Sequence, residues 1–238
     1  MKLIIIRHGD PDYSIDSLTE KGWREAEYLS ERMAGIDADY YYVSPLGRAR
    51  DTASITLRKI GKEAVECQWL KEFRVPDMKS NFSEYGRCLW DRMPQDWTKE
   101  ERFYHPDRWY LPDIVRKCGA KKEYDWVIEN FDTLLEKHGY KRDGHLYRAV
   151  RSNHDTIVFF CHFRIECVLL SHLMNLSPIV LWHSLMAAPS SVTTIRTEER
   201  QEGIACFRVS AFGDTSHLYV QGEAPSSAGR FIECYEKT

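Results

Sequence analysis

Residues 2–9 read KLIIIRHG, an apolar run that ends in an arginine, a histidine and a glycine. A continuous apolar run of this length, closed by a turn signal, is typical of a strand that is buried on both faces of a parallel sheet. The run is too short for the core of a signal peptide, and no cleavage site of small residues follows it. We therefore predict a buried strand over residues 2–6, with Arg7 and His8 at its carboxyl end.

Two strand–loop–helix units are predicted in the first part of the chain. Thr19 is predicted to cap a first helix, which ends at Gly35. A short strand is predicted over residues 40–43, and a second helix runs from Leu46 to Gly61. Because strands here alternate with helices, we predict an α/β fold in which helices cover a parallel sheet.

The last third of the chain continues this alternation. The apolar run at residues 157–161 predicts the best internal strand, and a helix is predicted over residues 164–174. Two further strands are predicted at residues 191–196 and 204–209, and they are expected to form a hairpin that turns at residues 199–202.

The stretch over residues 74–122 has a different character. It lacks clean periodicity and holds three tryptophans, several prolines and many alternating charges. This composition predicts an insertion of short helices and loops, which is either a lid over a site or an elaboration of the surface. Regular structure resumes with a helix over residues 124–138. We expect a single domain over residues 1–238 that carries this insertion.

The insertion has a small excess of positive charge. It holds eleven Lys and Arg against eight Asp and Glu, in a chain whose formal net charge is −3. As a lid, it is expected to attract an anionic substrate. Neutralising Arg87, Arg92 and Arg108 is then predicted to raise KM at low salt, where charges act over a longer range.

Composition excludes several classes of protein. With 33 Lys and Arg against 36 Asp and Glu, the chain lacks the clustered positive charge that nucleic-acid binding needs. No apolar run reaches the length of a membrane span. The seven cysteines are scattered without a C-x-x-C pair, so neither a disulfide framework nor a zinc knuckle is predicted. We expect a soluble, cytoplasmic protein with no nucleic-acid or membrane partner, and the sequence leaves its oligomeric state open.

Charged and titratable residues follow the predicted strands at corresponding points. Arg7 and His8 end the first strand, Arg48 opens the helix after the second strand, and His162 ends the later strand. Ligands of open α/β sheets bind outside the carboxyl ends of the strands, so these residues are expected to converge. Guanidinium forks match phosphate oxygens, and helix N-termini add favourable partial charge. The sequence therefore predicts a pocket for a dianionic phosphoryl group.

Four stretches make the sequence resemble the histidine phosphatase superfamily, which is also called phosphoglycerate mutase-like. They are Arg7–Gly9, Leu18–Gly22, Ser44–Ala53 and Asp214–Leu218. The third stretch matches the pattern S-x-L-x-R-A-x-x-T-A of the family and is the most specific of the four. The resemblance covers residues 1–73 and roughly 150–220, but not the insertion. It implies a three-layer α/β/α sandwich with a mostly parallel central sheet.

The resemblance also implies a role for each matching residue. His8 is expected to be the nucleophile that becomes phosphorylated, while Arg7, Arg48 and His162 bind and neutralise the oxygens of the transferring group. Glu72 is expected to be the general acid and base. These cationic side chains do the work that a metal does elsewhere, so we expect no cofactor and no metal. The other histidines show no H-E-x-x-H or similar spacing, which agrees with that expectation.

The assignment of Glu72 has competitors close by in the sequence. Glu63, Glu66 and Glu84 are also acidic residues of this region. Glu72 is preferred because it occupies the position, shortly after the third strand, that the family gives to its acid.

Two aromatic residues are candidates for substrate contacts. Tyr13 follows the nucleophile closely and is expected to reach the leaving group. Phe163 belongs to the one departure from the family pattern, since Cys161-His162-Phe163 stands where the family usually has Gly-His or Ser-His-Gly. Phe163 is expected to narrow the pocket or to add an apolar wall.

The function expected from these residues is a phosphatase that acts on small phosphomonoesters, with a small phosphorylated metabolite as its substrate. The first alternative is a cofactor-dependent phosphoglycerate mutase. Mutases of the family carry an Asn-rich, Thr-Gly-Trp stretch that is missing here between Asp12 and Leu18. The second alternative is a non-catalytic module that has kept the phosphate pocket.

Overall fold

The apolar run near the N-terminus lies in a strand at the middle of an eight-stranded sheet. The computed structural model describes residues 1–75, 89–231 and 233–234. In chain order the strands are β1 (Lys2–Arg7), β2 (Pro11–Asp12), β3 (Ser17–Leu18), β4 (Tyr40–Val43), β5 (Val65–Glu66), β6 (Tyr140–Asp143), β7 (Leu146–Ala149), β8 (Thr156–Cys161), β9 (Val192–Gln201) and β10 (Ile204–Asp214). The α-helices are α1 (Glu20–Ala34), α2 (Gly47–Ile60), α3 (Pro94–Trp97), α4 (Asp113–Lys117), α5 (Ala120–Lys137), α6 (Phe163–Met174), α7 (Pro178–Ser184) and α8 (Ser216–Val220).

The order of strands in the large sheet is β5-β4-β8-β1-β9-β10-β7-β6. Neighbours from β5 to β1 are parallel, whereas the pairings from β1 to β6 are antiparallel. The predicted α/β fold on a parallel central sheet is confirmed, and the antiparallel strands extend that sheet on one side. Because β4, β8 and β1 are adjacent and parallel, their carboxyl ends meet at one edge.

Alternate side chains of the central strand enter two separate hydrophobic cores. Leu3 and Ile5 of β1 belong to a core that includes residues of α5 and α6. Ile4 and Ile6 belong to the core on the opposite face, with residues of α1 and α2. A strand covered on both faces needs an unbroken apolar run, which is the pattern from which it was predicted. The three predicted layers are therefore present.

The predicted helix ends are confirmed at the two helices nearest the N-terminus. Thr19 caps α1, where its Oγ1 accepts a hydrogen bond from the backbone N–H of Gly22 at 3.0 Å. Gly35 follows the last residue of that helix. Gly61 ends α2 in the left-handed conformation, with φ of 65°, which a residue without a side chain adopts at little cost.

Two hairpins complete the antiparallel side of the sheet. The predicted pair of strands is confirmed as β9 and β10, but both are longer than expected and the turn is tighter, at Glu202 and Gly203. The hairpin of β6 and β7 was not predicted. Its signal was present, since Asp143-Gly144 is a strong turn dipeptide and Gly144 has φ of 58°.

Residues 89–122, the described part of the predicted insertion, contain α3, α4 and a 3₁₀ turn at Glu101–Tyr104. The predicted short helices are confirmed in this part. Phe103 and Trp109 are buried in the same core as β1, and the ring of Trp109 meets that of Trp182 edge-on at 6.4 Å. These residues therefore anchor the segment to the main body of the protein. Across the described ranges, no helix is both long enough and apolar enough to cross a membrane.

Candidate active site

The two histidines predicted at strand ends lie side by side. Arg7 of β1 is the register partner of Cys161 of β8, so the next residue of each strand reaches the same edge of the sheet. The backbone N–H of His8 donates to the carbonyl of Cys161 at 3.0 Å. The ring centroids of His8 and His162 are 5.1 Å apart. The parallel register thus brings together two residues that are distant in the chain.

The ring of His8 is held in one tautomer. Its Nδ1 lies 2.7 Å from the carbonyl oxygen of Gly9, and because a carbonyl only accepts, Nδ1 carries the hydrogen. The side chain is buried, with 1% exposure. Burial lowers the pKa of His8 well below its usual value, and the nearby His162 and Arg7 lower it further. His8 is therefore a neutral imidazole with a free lone pair on Nε2, which is the form that attacks phosphorus.

His162 is fixed by a hydroxyl from the neighbouring strand. Its Nε2 lies 2.8 Å from Oγ of Ser44, which follows β4. That oxygen also accepts from the backbone N–H of Leu46 at 3.3 Å, and it keeps both its hydrogen and a second lone pair for the ring. When the hydroxyl donates to Nε2, the ring hydrogen of His162 is on Nδ1, a buried atom without a partner among the described residues. An oxygen of a bound phosphoryl group can accept from it.

Arg7 is a buried cation with donors already in use. Its Nη1 donates to the carbonyl of Ala187, and its Nη2 donates to the carbonyl of Ala228 at 3.3 Å. Its Nε is buried without a hydrogen-bond partner within the described chain. Burial lowers the pKa of Arg7, and the charge of Glu72 is the largest effect in the opposite direction. Glu72 is therefore close to Arg7.

Arg48 is oriented by an acid that the sequence did not single out. Asp16 forms an ion pair with Nη1 of Arg48 and also accepts from the backbone N–H of Gly47 at 2.7 Å. Asp16 has a φ of 50°, a left-handed conformation that aspartate tolerates better than most residues. A Cβ at position 47 would stand 2.0 Å from the backbone oxygen of Asp16, so a glycine is required there. In the sequence, the one sign of this orienting role was an acidic residue in the short loop before Leu18.

The predicted acid and base lies beside an arginine. Oε1 of Glu72 accepts from the backbone N–H of Arg164 at 3.1 Å and lies 3.3 Å from Nε of the same residue. The side chain of Glu72 is 9% exposed. Arg164 was not predicted from the sequence, although it stands two residues after the predicted site residue His162.

The competing acids do not share this position. Glu63 is exposed, and Glu66 is an exposed residue of β5 that lies 3.9 Å from a surface arginine, Arg50. Glu84 falls outside the described residues. Of the acids considered, Glu72 is the one that the structure places near Arg7.

Both aromatic candidates contact an arginine of the pocket. The guanidinium carbon of Arg48 lies 5.5 Å from the ring centroid of Tyr13, whose side chain is 65% exposed. The guanidinium carbon of Arg7 lies 5.9 Å from the ring centroid of Phe163. Phe163 thus supplies an apolar wall beside Arg7, and Tyr13 lies at the solvent-facing rim.

A fully buried carboxyl group lies beneath the site. Glu166, one turn after His162 on α6, is 1% exposed, and its Oε1 has no partner among the described residues. Burial raises its pKa to about 7, while a hydrogen bond with Thr193 and the charge of Arg7 act in the opposite direction. Nothing in the sequence distinguished this glutamate from a solvated one.

The segment after α8 returns to the site. Lys21 binds it through the carbonyl of Ala224 at 2.5 Å and the carboxylate of Glu223 at 3.2 Å. The hydroxyl of Ser226 donates to the carboxylate of Asp10, which directly follows the loop of His8. Residues 223–229 therefore form a strap that ends on Arg7. The sequence contained no pattern that predicted it.

Within the described ranges, no three His, Cys, Asp or Glu side chains are grouped as they would be to hold a metal ion. The concentrated charge at the strand ends comes from arginines: burial lowers the pKa of His162 well below its usual value, and the charges of Arg48, Arg164 and Arg7 lower it further. The arrangement is suited to binding an anion beside a neutral nucleophile.

A family model described as histidine phosphatase superfamily (branch 1) matches residues 3–123 of this chain. The matched region contains Arg7, His8, Arg48 and Glu72, and it ends before His162. It also runs through the insertion, which the four sequence motifs did not reach.

Similar proteins include a mutase and several phosphatases. A 2,3-bisphosphoglycerate-dependent phosphoglycerate mutase of Thermoplasma acidophilum is 39% identical over 79 residues, which cover 29% of this chain and 40% of the mutase. The chain thus matches less than half the length of this curated relative. A phosphoserine phosphatase of Entamoeba histolytica, solved with 3-phosphoglyceric acid, has a TM-score of 0.58 and 17% identity over 91% of this chain and 98% of its own. The alpha-ribazole phosphatase of Shigella flexneri has a TM-score of 0.57 and 19% identity, covering 90% and 97%.

The family match spans half of the chain, and the fold agrees with that of these phosphatases over nearly the whole of their length. The chain therefore belongs to the histidine phosphatase superfamily.

Proposed function

We propose that this protein is a phosphatase that hydrolyses small phosphomonoesters through a phosphohistidine at Nε2 of His8. The observation that carries the proposal is the state of His8, a buried neutral imidazole whose Nδ1–H is held by Gly9. Two buried arginines and His162 surround it. This combination supplies a nucleophile and the positive charge that a transferring phosphoryl group needs.

In the first step, Nε2 of His8 attacks phosphorus in line with the ester oxygen. The bond between phosphorus and that oxygen breaks, and the leaving alkoxide takes a proton from Glu72. Arg7, Arg48 and Nδ1–H of His162 stabilise charge on the equatorial oxygens. The phosphorylated ring of His8 gains positive charge, and its hydrogen bond to the carbonyl of Gly9 stabilises that charge.

In the second step, a water molecule attacks the phosphohistidine. Glu72, now ionised, takes a proton from this water, the bond between phosphorus and Nε2 breaks, and inorganic phosphate is released. Glu72 has then regained the proton that it donated. The cycle therefore needs no other reactant than water and, in this proposal, no metal or cofactor.

The resting contacts of Glu72 bear on this cycle. Before substrate binds, its carboxylate is paired with Arg164. To donate a proton it has to be protonated, so the ion pair has to give way when the dianionic substrate enters. We propose that the negative charge of the bound substrate, rather than that of Glu72, then balances the positive charge of Arg7, Arg48 and Arg164.

The proposed substrate is a small phosphorylated metabolite, which fits a cytoplasmic enzyme without nucleic-acid or membrane partners. Support comes from the phosphatases that share the fold, including the phosphoserine phosphatase solved with 3-phosphoglyceric acid. Phe163 and the strap both lie against Arg7, on the side where the substrate would bind in this proposal.

A phosphoglycerate mutase is the second candidate, because the mutase of Thermoplasma acidophilum is 39% identical over its matched region. A mutase would keep the phosphoenzyme intact until a second phosphoglycerate accepts the group. Priming with a bisphosphoglycerate, followed by detection of isomerised monophosphoglycerate without release of phosphate, would favour this candidate over the phosphatase.

The decisive test is release of phosphate from para-nitrophenyl phosphate in the presence of EDTA. Wild-type protein is compared with His8→Ala and with His154→Ala, a matched control at an exposed histidine. We expect turnover in the wild type and the control and none in His8→Ala. Turnover that survives in His8→Ala, or that EDTA abolishes in the wild type, would contradict the mechanism.

A further inference from the structure

Arg164 lies where its side chain can bind a part of the substrate. It is the second residue of α6, directly after the pair His162-Phe163. Its backbone N–H and its Nε both approach the same oxygen, Oε1 of Glu72, at 3.1 and 3.3 Å. The proposed acid and base therefore depends on Arg164 for its position, and any group that binds this arginine lies next to the leaving oxygen.

The guanidinium of Arg164 is held flat by aromatic rings. Its central carbon lies 3.9 Å from the ring centroid of Trp90, a residue of the insertion. Trp182 supports this stack, because its ring packs edge-on against Trp90 at 6.2 Å and its Nε1 donates to the carbonyl of Arg164 at 3.0 Å. Stacking uses the face of a guanidinium and leaves its edge for hydrogen bonds.

The outer edge of that guanidinium has N–H donors that can bind a ligand. Within the described chain, the side chain of Arg164 meets Glu72 through Nε and makes no hydrogen bond through its terminal nitrogens, and it keeps 17% exposure. The charge is close to the centre of the site, because Arg164 follows Arg48 among the charges that lower the pKa of His162. When Glu72 carries the proton for the leaving group, Arg164 has no anionic partner left.

We propose that Arg164 is a specificity-determining residue that binds a carboxylate of the substrate, so that the preferred substrates are phosphomonoesters with a carboxylate near the ester oxygen. This inference rests on the proposed phosphatase function. A planar carboxylate matches the two free terminal nitrogens with paired hydrogen bonds. The position next to Glu72 requires the carboxylate to lie within a few bonds of the leaving oxygen.

The same geometry couples recognition to catalysis. The substrate carboxylate replaces the carboxylate of Glu72 as the partner of Arg164. Glu72 is then released to take up a proton and to approach the leaving oxygen. A phosphomonoester without a carboxylate leaves Glu72 paired with Arg164, and it is hydrolysed more slowly for that reason.

The test compares two substrates that differ only in the carboxylate, O-phosphoserine and O-phosphoethanolamine. In the wild type, kcat/KM is expected to favour phosphoserine by about 10- to 100-fold, the range given by hydrogen bonds to a charged group. In Arg164→Gln the ratio is expected to fall to about one. Arg116→Gln is the matched control, since that arginine is exposed on α4 and pairs with Asp113, away from Glu72; its ratio should stay unchanged.

The ratio separates recognition from other effects. In Arg164→Gln, Glu72 is unpaired with either substrate bound, so any displacement of Glu72 acts on both substrates alike, and the fall of the ratio reports the loss of the carboxylate contact and of the release of Glu72 that it causes. Competitive inhibition of para-nitrophenyl phosphate hydrolysis by the two compounds, measured on the wild type, gives a second readout that does not depend on folding of the variant.

Equal kcat/KM and equal inhibition constants for the two compounds would overturn the inference while leaving the phosphatase standing. An unchanged preference in Arg164→Gln would also overturn it. Absence of His8-dependent turnover of para-nitrophenyl phosphate would instead remove the proposed function itself.

Discussion

Arg7 donates through Nη2 to the carbonyl oxygen of Ala228, at 3.3 Å, so one of the two proposed phosphate-binding arginines is partly satisfied by the protein's own chain. A Cβ at position 229 would stand 3.4 Å from the same nitrogen, which shows how closely the strap at residues 223–229 lies against it. The carbonyl takes one of the two hydrogens of Nη2, and a phosphoryl oxygen that approaches Arg7 from the side of the strap competes with it.

Loosening the strap is therefore expected to favour substrate binding. Ser226→Ala removes the hydrogen bond to Asp10 that holds the strap near Arg7. Since one hydrogen bond contributes about 1 kcal/mol, we expect KM to fall about fivefold with little change in kcat. Steady-state kinetics of Ser226→Ala and of Ser210→Ala, a serine on the exposed edge of β10, test this. An unchanged or higher KM in Ser226→Ala would show that the strap does not compete with substrate.

The ion pair of Asp16 with Arg48 predicts a binding defect. Asp16→Asn keeps a residue that tolerates the left-handed backbone but removes the charge and one of the two acceptor interactions. Because Arg48 is then less well oriented toward the phosphoryl group, we expect kcat/KM to fall about tenfold, mostly through KM. Asp37→Asn, at an exposed aspartate, is the control. Equal kinetics in both variants would exclude a positioning role for Asp16.

The hydrogen bond between Ser44 and His162 predicts a defect in the chemical step. In Ser44→Ala the ring of His162 loses the hydroxyl that holds its Nε2. We expect kcat to fall about fivefold to tenfold, because Nδ1 no longer always presents a hydrogen to the transition state. Single-turnover formation of the phosphoenzyme, followed by rapid quench, is the measurement. A defect that appears only in KM would mean that His162 acts in binding alone.

Glu166 predicts a dependence of stability on pH. Its pKa is raised from 4.5 in the unfolded chain to about 7 in the folded protein, so between these values the folded state binds more protons. Stability from this group is thus present below pH 4.5 and is lost as pH rises through about 7, by about 3 kcal/mol in all.

The isosteric variant Glu166→Gln isolates that contribution. It is expected to match the wild type near pH 4 and to be the more stable protein at pH 8, as measured by urea unfolding at several pH values. Glu129→Gln, at an exposed position of α5, should show no such difference. A Glu166→Gln protein that is less stable at pH 8 would mean that the ionised carboxylate is stabilised by contacts with Arg7.

It remains a prediction that the positive charge of the insertion attracts the substrate. Arg108 is exposed and Arg92 is half-buried, whereas Arg87 lies outside the described residues. Neutralising Arg92 and Arg108 to glutamine should raise KM about twofold to threefold at low ionic strength and have no effect at 0.5 M salt, where screening is short-ranged. A KM that is the same at low salt would remove the insertion from substrate capture.

Local sequence patterns were sufficient to predict the strands and helices that form the site. The apolar run before Arg7, the cap at Thr19 and the glycine at position 61 each act within a few residues of themselves, so periodicity and capping rules located them. The hairpin of β6 and β7 was not predicted because its strands are short and each buries a single residue, which weakens the alternation that identifies a strand.

The sequence by itself determined the α/β fold, the strand ends at His8 and His162 and the presence of Arg48 at the start of α2, because these depend on local patterns and on a motif of fixed spacing. Only the tertiary structure decided that Arg164 pairs with Glu72, that Asp16 orients Arg48 and that the strap ends on Arg7. These contacts join segments far apart in the chain, and they exist because strand register and helix packing place the segments within hydrogen-bond distance. No periodicity in the sequence encodes such a distance.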